Sequence, residues 1–348
     1  MKIIVLYEEL AGYFMACITD FAERYDAQVL VIRKESNPSA PFRFEKHPMI
    51  EILDRNLVSE SDLFHRMKSF SAQAIFCAGW SNKFYLKICK HFQPTIPIIL
   101  GLDNWWNGSI KQRISTSLAK SYFSKRFDRC FVPATPQKDF AIRLGFAESR
   151  IETGAYACDF VQFNNYFLEN REGKRDSFPK RFIFVGRYVE EKGIDMLWKA
   201  FSEIQNESPN DWELWCLGKG ELKPYEHPKI KHFGFVQPSE MRSYIQQTGV
   251  FVLPSLFEPW GVVAHEFAAA GFPLLLSDQV GAAEFFLNET NGFKIEHGNS
   301  NNLKSVLKSV IKMSDNELYA MGENSNRIAS LHTPKIWAEK LYHLINLK

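Results

Sequence analysis

The sequence predicts an α/β protein with two doubly wound halves, and three observations support this prediction. Short apolar runs alternate with helical segments through residues 1–165, and the same alternation restarts at residue 181. Strands that alternate with helices form parallel βαβ units. The segment between the halves, 166–180, is polar and nearly without apolar periodicity, so it is predicted to be a linker. Two such halves place a ligand cleft between them, at the carboxyl ends of the strands.

Apolar periodicity, interrupted by glycine and proline, predicts the individual elements. In the first half a helix is predicted over Tyr13–Arg24, and strands over Lys2–Tyr7, Gln28–Ile32, Ala74–Cys77, Ile96–Leu100 and Arg129–Val132. In the second half, 181–330, strands are predicted over Arg181–Val185, Trp212–Leu217, Ile230–Phe233, Val250–Leu253, Leu274–Leu276 and Phe293–Ile295. Helices are predicted there over Ile194–Ile204, Ser239–Gln247, Val262–Ala270 and Leu303–Met313. A last helix, Pro334–Leu347 within 331–348, is predicted to cross back to the first half.

The composition is that of a globular protein, with 45% hydrophobic and 24% charged residues. The net charge of +2 does not indicate a nucleic-acid partner. No apolar stretch approaches the ~20 residues of a membrane span, and the N-terminal apolar run is too short for a signal peptide. The six cysteines form no Cys-x-x-Cys pair, so they are predicted to be reduced thiols of a cytoplasmic protein.

The stretch Phe257–Gly271 follows a predicted buried strand and combines a loop with a helix. The free N–H groups and the positive dipole end at the start of such a helix bind phosphate well. Glu258 precedes the helix and Glu266 lies about one turn inside it, so the two carboxylates flank that first turn. This arrangement suits the hydroxyl groups and phosphates of a nucleotide sugar. The alternative is a loop glutamate that caps the helix and an exposed glutamate within it.

Glycines and cations follow other strands of the second half. Arg187 and Lys192 flank a short turn after Gly186, and their side chains suit a diphosphate, with a solvated charged loop as the alternative. Gly218 ends the next strand, and Gly234-Phe235-Val236 follows the strand after that. Glycine at such positions lets the backbone approach a base or a ribose.

Together these motifs resemble those of the retaining GT-B glycosyltransferases of family 4, also described as glycosyl transferases group 1. That family carries three elements in a fixed order, which here are Gly186-Arg187…Lys192-Gly193, Gly218-Lys219-Gly220 and Glu258…Glu266. The resemblance extends over roughly residues 129–296. It implies a GT-B fold, in which two Rossmann-like domains face a central cleft.

The resemblance also implies a role for each residue of these motifs. Arg187 and Lys192 would hold the diphosphate, Glu266 the ribose and Glu258 the transferred sugar. The implied donor-binding residues are Gly12, Gly186, Arg187, Lys192, Gly218, Val236, Glu258, Trp260, Gly261, Val262, Val263 and Glu266. No metal or cofactor is expected, because two cations and a helix dipole neutralise the leaving diphosphate and the Asp-x-Asp of metal-dependent transferases is absent.

In the first half, the family often has a histidine in the loop after a central strand, and here Asp103 occupies the matching place. Asp103, Asn104, Trp105 and Trp106 are predicted to contact the acceptor by stacking and hydrogen bonding, with a hydrophobic plug as the alternative. Asp103 joins Glu258, Arg187 and Lys192 as a predicted catalytic residue.

Residues 111–129 form a basic stretch whose only acid is Asp128; its cations are Lys111, Arg113, Lys120, Lys125, Arg126 and Arg129. A basic amphipathic helix lies on anionic membranes, so one interpretation is peripheral contact with the inner face of a membrane. A solvated helix face is the other interpretation.

The predicted function is the retaining, metal-independent transfer of a hexose-type sugar from a nucleoside diphosphate sugar, such as a UDP-sugar, to an acceptor hydroxyl. The acceptor would be a glycan or lipid-linked glycan in cell-surface polysaccharide biosynthesis. The alternatives are a non-catalytic nucleotide-sugar-binding protein and a GT-B-type sugar-nucleotide epimerase. His265 is predicted to be a partly buried helix residue, because a His-Glu-x-x-His zinc motif would need histidine where Ala269 stands.

Overall fold

Two parallel sheets organise the computed structural model, which describes residues 1–34, 41–123, 125–154 and 156–347. The first unit begins at Met1, includes Phe42–Ala157 and takes in Pro334–Lys348, whereas the second includes Cys158–Thr333. The division between the units therefore falls between Ala157 and Cys158. This position differs from the predicted linker at 166–180.

Seven strands from the described residues form the parallel sheet of the first unit: β1 (Lys2–Tyr7), β2 (Gln28–Arg33), β3 (Ile50–Asp54), β4 (Ala74–Ala78), β5 (Ile98–Gly101), β6 (Arg129–Val132) and β7 (Ile151–Thr153). Their order is β3-β2-β1-β4-β5-β6-β7. Strand order reverses between β1 and β4, and the crevice at such a reversal is where doubly wound sheets bind ligands. Strands β3 and β7 were not predicted from the sequence, because both carry few fully buried side chains.

Five helices connect these strands: α1 (Gly12–Arg24), α2 (Glu60–Phe70), α3 (Lys83–Phe92), α4 (Ile110–Phe123) and α5 (Thr135–Arg143). Side chains of α2 to α5 pack against one face of the sheet in a continuous apolar core that includes Leu63, Tyr85, Ala119 and Phe140. The helices therefore cover the sheet and leave its carboxyl edge to the connecting loops.

The second unit contains a sheet of six described strands: β8 (Arg181–Val185), β9 (Glu213–Leu217), β10 (Ile230–Gly234), β11 (Val250–Leu253), β12 (Leu274–Ser277) and β13 (Gly292–Ile295). The order is β10-β9-β8-β11-β12-β13, and each pair of neighbouring strands is parallel. The order reverses between β8 and β11, so the ends of these two strands mark the expected ligand position.

The helices of the second unit are α6 (Phe160–Asp176), α7 (Ile194–Glu207), α8 (Arg242–Gln247), α9 (Val262–Ala269), α10 (Ala283–Phe286), α11 (Ser300–Ile311) and α12 (Asp315–Ala329). Most of the predicted linker belongs to α6. The prediction failed because this helix buries few side chains, among them Phe163, Tyr166 and Lys174. Helix α12 was not predicted either, although Ser314 and Glu317 form a capping box at its start.

The last helix, α13 (Pro334–Ile345), packs within the first unit. The indole ring of Trp337 is 1% exposed. Its centroid lies 5.6 Å from that of Phe14, 6.1 Å from that of Phe76 and 5.5 Å from that of Phe131. The end of the chain is thus part of the core built by its beginning.

Candidate functional site

The carboxyl ends of β8 and β11 bring together two residues that are 66 positions apart in the sequence. The Nζ of Lys192 donates a hydrogen bond to Oε2 of Glu258 and forms an ion pair with it. The two side chains are only 17% and 12% exposed. Two predicted site residues therefore meet at the reversal of the strand order, where the cation neutralises the carboxylate.

Backbone contacts hold the Lys192 turn against the loop after β11. The N–H groups of Leu256 and Phe257 both donate to the carbonyl of Glu191, at 2.8 and 3.3 Å. Gly193 has a φ of +62°, and a Cβ atom at this position would lie 2.3 Å from the carbonyl oxygen of Pro254. Glycine is required here by both the left-handed conformation and the close backbone approach.

The loop that carries Glu258 is also tied to the chain after β12. The N–H of Glu258 donates to the carbonyl of Gln279 at 3.0 Å, and the N–H of Gly281 donates to the carbonyl of Glu258 at 3.0 Å. The N–H of Ala282 donates to the carbonyl of Trp260 at 2.7 Å. Because both sides of the loop are bonded, the Glu258 side chain is held in place before a ligand arrives.

Helix α9 starts directly after this loop, and no side chain in the described part of the chain caps its N-terminus. Gly261 precedes the helix with a φ of +86°. The early amides of Val262 and Val263 therefore point out of the helix end, where they favour an anion. The ring of Trp260 is 4% exposed and packs against Phe285, so a ligand would meet the backbone of this residue, not its indole.

Glu266 lies one turn into α9 and is half-buried. Burial, together with the nearby carboxylate of Asp159, raises the pKa of Glu266 to about 7. Asp159 caps α6 by accepting a hydrogen bond from the N–H of Gln162. The sequence did not identify Asp159 as a neighbour of Glu266, because the two residues are far apart in the chain.

His265 lies in the core and is fully buried, whereas the sequence predicted partial burial. Its Nδ1 accepts from the N–H of Cys158 at 3.1 Å, so its Nε2–H donates to the carbonyl of Ala329 at 3.1 Å. The ring stacks on Phe286 at 4.2 Å. Burial lowers the pKa of His265 to about 3, so the imidazole is a neutral packing group.

Arg187 follows β8 and is exposed. It makes no hydrogen bond or ion pair with any residue that the structure describes. Gly186 and Gly218 continue β8 and β9, and Val236 is half-buried just beyond β10. These residues follow the carboxyl ends of their strands, at the same edge of the sheet as Lys192.

In the first unit, Asp103 and Asn104 are exposed in the loop after β5. Burial raises the pKa of Tyr156, and the Asp103 carboxylate raises it further. The hydroxyls of Tyr7 and Tyr13 are hydrogen-bonded at 3.0 Å, and the pKa of Tyr7 is raised mainly by its burial. The sequence did not single out these tyrosines, because only the parallel sheet gathers residues from β1, α1 and the end of β7 at one edge.

One tryptophan of this loop, Trp106, packs within the first unit. Trp106 packs on Phe140, with 6.0 Å between ring centroids, and the Arg143 guanidinium lies 5.0 Å from the Trp106 ring. This favours the hydrophobic plug that the sequence left open for Trp106. Trp105 is half-buried. Gly12, the other first-unit residue of the predicted site, is the first residue of α1.

Within the basic stretch 111–129, the structure describes the surroundings of several of the cations. The guanidinium of Arg129 donates hydrogen bonds to the carbonyls of Leu344, Ile345 and Leu347 at the end of α13. Arg129 is therefore bound within the first unit. Arg113 and Lys125 are exposed. The side chains of Lys111 and Lys120 lie outside the described part of the structure.

The residues that the structure describes contain neither a membrane-spanning helix nor a metal-binding cluster. None of their helices has both the length and the apolar character needed to cross a bilayer. None of their histidine, cysteine and acidic side chains form a group of three that could hold a metal ion. The six cysteines all lie among these residues and are buried thiols, as predicted.

Part of the second unit matches a known protein family. Residues 179–313 match the family Glycosyl transferases group 1. An uncharacterised glycosyltransferase of Methanocaldococcus jannaschii is 32% identical over 122 residues, which cover 32% of this chain and 31% of that protein. An uncharacterised 41.2 kDa protein from the cps region of Klebsiella pneumoniae is 20% identical over 332 residues, covering 89% and 90% of the two chains.

Among solved structures, the Anabaena protein Alr3699/HepE in complex with UDP-glucose has a TM-score of 0.73 at 15% identity, with all of both chains covered. The fold is therefore that of the GT-B glycosyltransferases. The chain spans 31% to 50% of the length of the relatives named glycosyltransferase in Methanocaldococcus jannaschii and Bacillus subtilis.

Proposed function

We propose that this chain, whose residues 179–313 match the group 1 glycosyl transferases, transfers a sugar from a nucleoside diphosphate sugar to an acceptor hydroxyl. The observation that supports this most strongly is the Lys192–Glu258 ion pair beside the uncapped start of α9. A half-buried cation, a positioned carboxylate and outward amides at one sheet edge suit a sugar attached to a diphosphate.

In the proposed reaction the acceptor oxygen forms a bond to the anomeric carbon, and the bond from that carbon to the diphosphate oxygen breaks. The leaving diphosphate keeps the electron pair and takes the proton of the acceptor hydroxyl. Arg187, Lys192 and the α9 amides stabilise the charge that develops on the diphosphate. We propose that these groups make a metal ion unnecessary and that attack from the leaving-group face retains the anomeric configuration.

The proposed donor is a UDP-hexose, since the Anabaena protein of the same fold was solved with UDP-glucose. The proposed acceptor is a glycan or lipid-linked glycan, since a relative covering most of the chain comes from a cps region. Within the donor, Glu266 accepts hydrogen bonds from the ribose and Glu258 from the transferred sugar.

Calorimetry on two variants tests this assignment. Glu266→Ala is expected to weaken binding of both UDP and UDP-glucose, because a hydrogen bond to a charged group contributes about 1.5–3 kcal/mol. Glu258→Ala is expected to leave UDP binding nearly unchanged and to lower sugar transfer or donor hydrolysis. Loss of UDP binding in Glu258→Ala with retention in Glu266→Ala would reverse the two roles. Donor binding without transfer or hydrolysis under any condition would instead indicate a non-catalytic binding protein.

We also propose that α4 contacts an anionic membrane surface. Ile110 is 78% exposed and Ile114 is 59% exposed on this helix. The exposed Arg113 adds positive charge between them. Co-sedimentation with phosphatidylglycerol vesicles, but not with phosphatidylcholine vesicles, is expected, and the double variant Ile110→Ser with Ile114→Ser should reduce it. Equal sedimentation of the variant and the unaltered protein would exclude this helix as the contact.

A further inference from the structure

The chain continues in parallel register beyond the ends of β8 and β9. Val185 pairs with Leu217 at the end of the two strands, and an isolated parallel bridge pairs Tyr188 with Gly220. The intervening residues therefore face each other one for one, so Arg187 and Lys219 are register partners. The Tyr188 N–H donates to the carbonyl of Lys219 at 3.0 Å, which is the hydrogen bond expected from this register. Neighbouring strands lie about 4.8 Å apart.

A glycine directly precedes each of these two cations: Gly186 precedes Arg187, and Gly218 precedes Lys219. Gly218 has a φ of +146°, and a Cβ atom there would lie 1.8 Å from the carbonyl oxygen of Gly186. The Gly218 N–H donates to the carbonyl of Gly234 on the third strand at 2.7 Å. A larger residue at Gly218 would clash with Gly186, so glycine at this position keeps the chains after β8 and β9 close together and holds Arg187 beside Lys219.

The side chains of Arg187 and Lys219 are both exposed. Neither forms an ion pair with any carboxylate in the described ranges. Lys192, by contrast, is paired with Glu258. The Cε of Lys219 lies 3.1 Å from where a Cβ atom of Gly234 would be, so glycine at 234 leaves room for the lysine stem. Like charges in register destabilise a sheet, and an anion between them removes that cost.

We propose that Lys219 is a phosphate-binding residue that acts together with its register partner Arg187 on the diphosphate of the nucleotide donor. This inference rests on the proposed function and adds a cation to the diphosphate site. The close approach of Gly218 to Gly186 keeps Arg187 and Lys219 side by side, so that one phosphoryl group can contact both cations. Lys192 is already paired with Glu258, so Arg187 and Lys219 add uncompensated positive charge to what Lys192 and the α9 amides supply to the diphosphate.

Titration with UDP, UMP and uridine, each followed by ligand-observed NMR or calorimetry, tests the proposal. Lys219→Ala is expected to weaken UDP binding about five- to tenfold, because an exposed charged contact is worth roughly 1 kcal/mol or slightly more. Lys219→Glu should weaken it further, and Lys219→Arg should retain most of it. Uridine, which has no phosphate, should bind all variants equally. Lys223→Ala, at an exposed lysine four positions further along, is the matched control and should bind UDP normally.

The outcomes separate this inference from the proposed function. If the unaltered protein binds UDP, and Lys219→Ala binds it as tightly as Lys223→Ala does, Lys219 is a solvated surface residue and the inference fails alone. Equal losses for uridine and UDP would place Lys219 on the nucleoside and would also overturn it. If the unaltered protein binds none of UDP, ADP and GDP, the proposed function and the inference fail together. Circular dichroism of each variant checks that the exposed substitution leaves the fold intact.

Discussion

At the scale of single residues, burial opposes the charge of two titratable side chains in the second unit. Glu266 has a pKa raised to about 7 by burial and by Asp159. Lys174 is 6% exposed, and burial lowers its pKa to about 7. Both groups therefore change charge near neutral pH. The ionisation of Glu266 is expected to affect donor binding, and that of Lys174 is expected to affect stability.

Donor affinity is expected to depend on the ionisation of Glu266. The carboxylate accepts ribose hydrogen bonds best when ionised, so the affinity for UDP-glucose should be constant well above pH 7 and should fall as the pH drops below 7. Glu266→Gln should abolish this dependence. Asp159→Asn, which can still cap α6, should move the midpoint to lower pH because it removes a neighbouring carboxylate. Unchanged UDP-glucose affinity from pH 5.5 to 8.5 in the unaltered protein would contradict the role of Glu266.

Lys174 is expected to destabilise the second unit at neutral pH. Its Nζ has no hydrogen-bond partner among the described residues and lies 3.7 Å from the ring centroid of Phe272. The pKa is about 7 in the folded protein and returns to its ordinary value of 10.5 in the unfolded chain, so unfolding takes up a proton between these pH values. The resulting cost to stability is greatest below pH 7 and declines as the pH rises towards 10.5.

Lys174→Met should therefore raise the free energy of unfolding by about 2–4 kcal/mol at pH 7, and by much less at pH 10. The cation–π contact with Phe272 sets the lower end of that range. Urea unfolding at the two pH values measures the difference, with Lys180→Met, at an exposed position, as the control. A loss of stability at pH 7 in Lys174→Met would show that the contact with Phe272 outweighs the cost of burial.

At the scale of elements, the turn between β8 and α7 depends on Gly193. Substitution to alanine places a Cβ atom 2.3 Å from the carbonyl oxygen of Pro254 and keeps an unfavourable φ of +62°. Gly193→Ala is expected to destabilise the second unit by about 1–3 kcal/mol. It should also weaken UDP binding, because the Lys192 turn must move away from the loop that carries Glu258.

Gly173→Ala is the matched control for this prediction. Gly173 lies within α6, and a Cβ atom there meets nothing within 4 Å. Alanine is a better helix former than glycine by about 1 kcal/mol, so this variant should be slightly more stable and should bind UDP normally. Thermal unfolding of both variants provides the comparison. Equal stability of the two would mean that the Gly193 turn adapts without strain.

At the scale of the whole molecule, the first unit is discontinuous in the chain. Helix α13 completes it after the whole second unit has been synthesised, and Trp337 fills the space between Phe14, Phe76 and Phe131. Lys340 also donates to the carbonyl of Thr153. Folding of the first unit thus requires residues from both ends of the chain.

Truncation after Thr333 should therefore unfold the first unit and leave the second unit folded. Limited proteolysis should degrade residues before Cys158 and leave a fragment that begins near Cys158. The single variant Trp337→Ala should destabilise the first unit by about 3–5 kcal/mol, because a large buried ring leaves a cavity. Phe146→Leu, at the edge of the core, should cost less. A truncated chain that is fully protease-resistant would show that α13 is dispensable.

Local sequence by itself determined most of the strands and the position of the candidate site. Apolar runs predicted most strands to within a few residues, and glycines and cations at the strand ends indicated the candidate site. These features are readable because alternation, chain breakers and charge act over a few neighbouring residues. The burial of Trp337 also follows from a local pattern, since its helical face is apolar.

Tertiary structure alone decided which distant residues meet. Helix α6 has too few apolar residues to be recognised, and it is helical because Phe163 and Tyr166 are buried against the rest of the second unit. The register that pairs Arg187 with Lys219, the partnership of Lys192 with Glu258 and the proximity of Asp159 to Glu266 all depend on strand order and helix packing. Such contacts join segments tens of residues apart, and no local pattern encodes which of the many possible pairs will form.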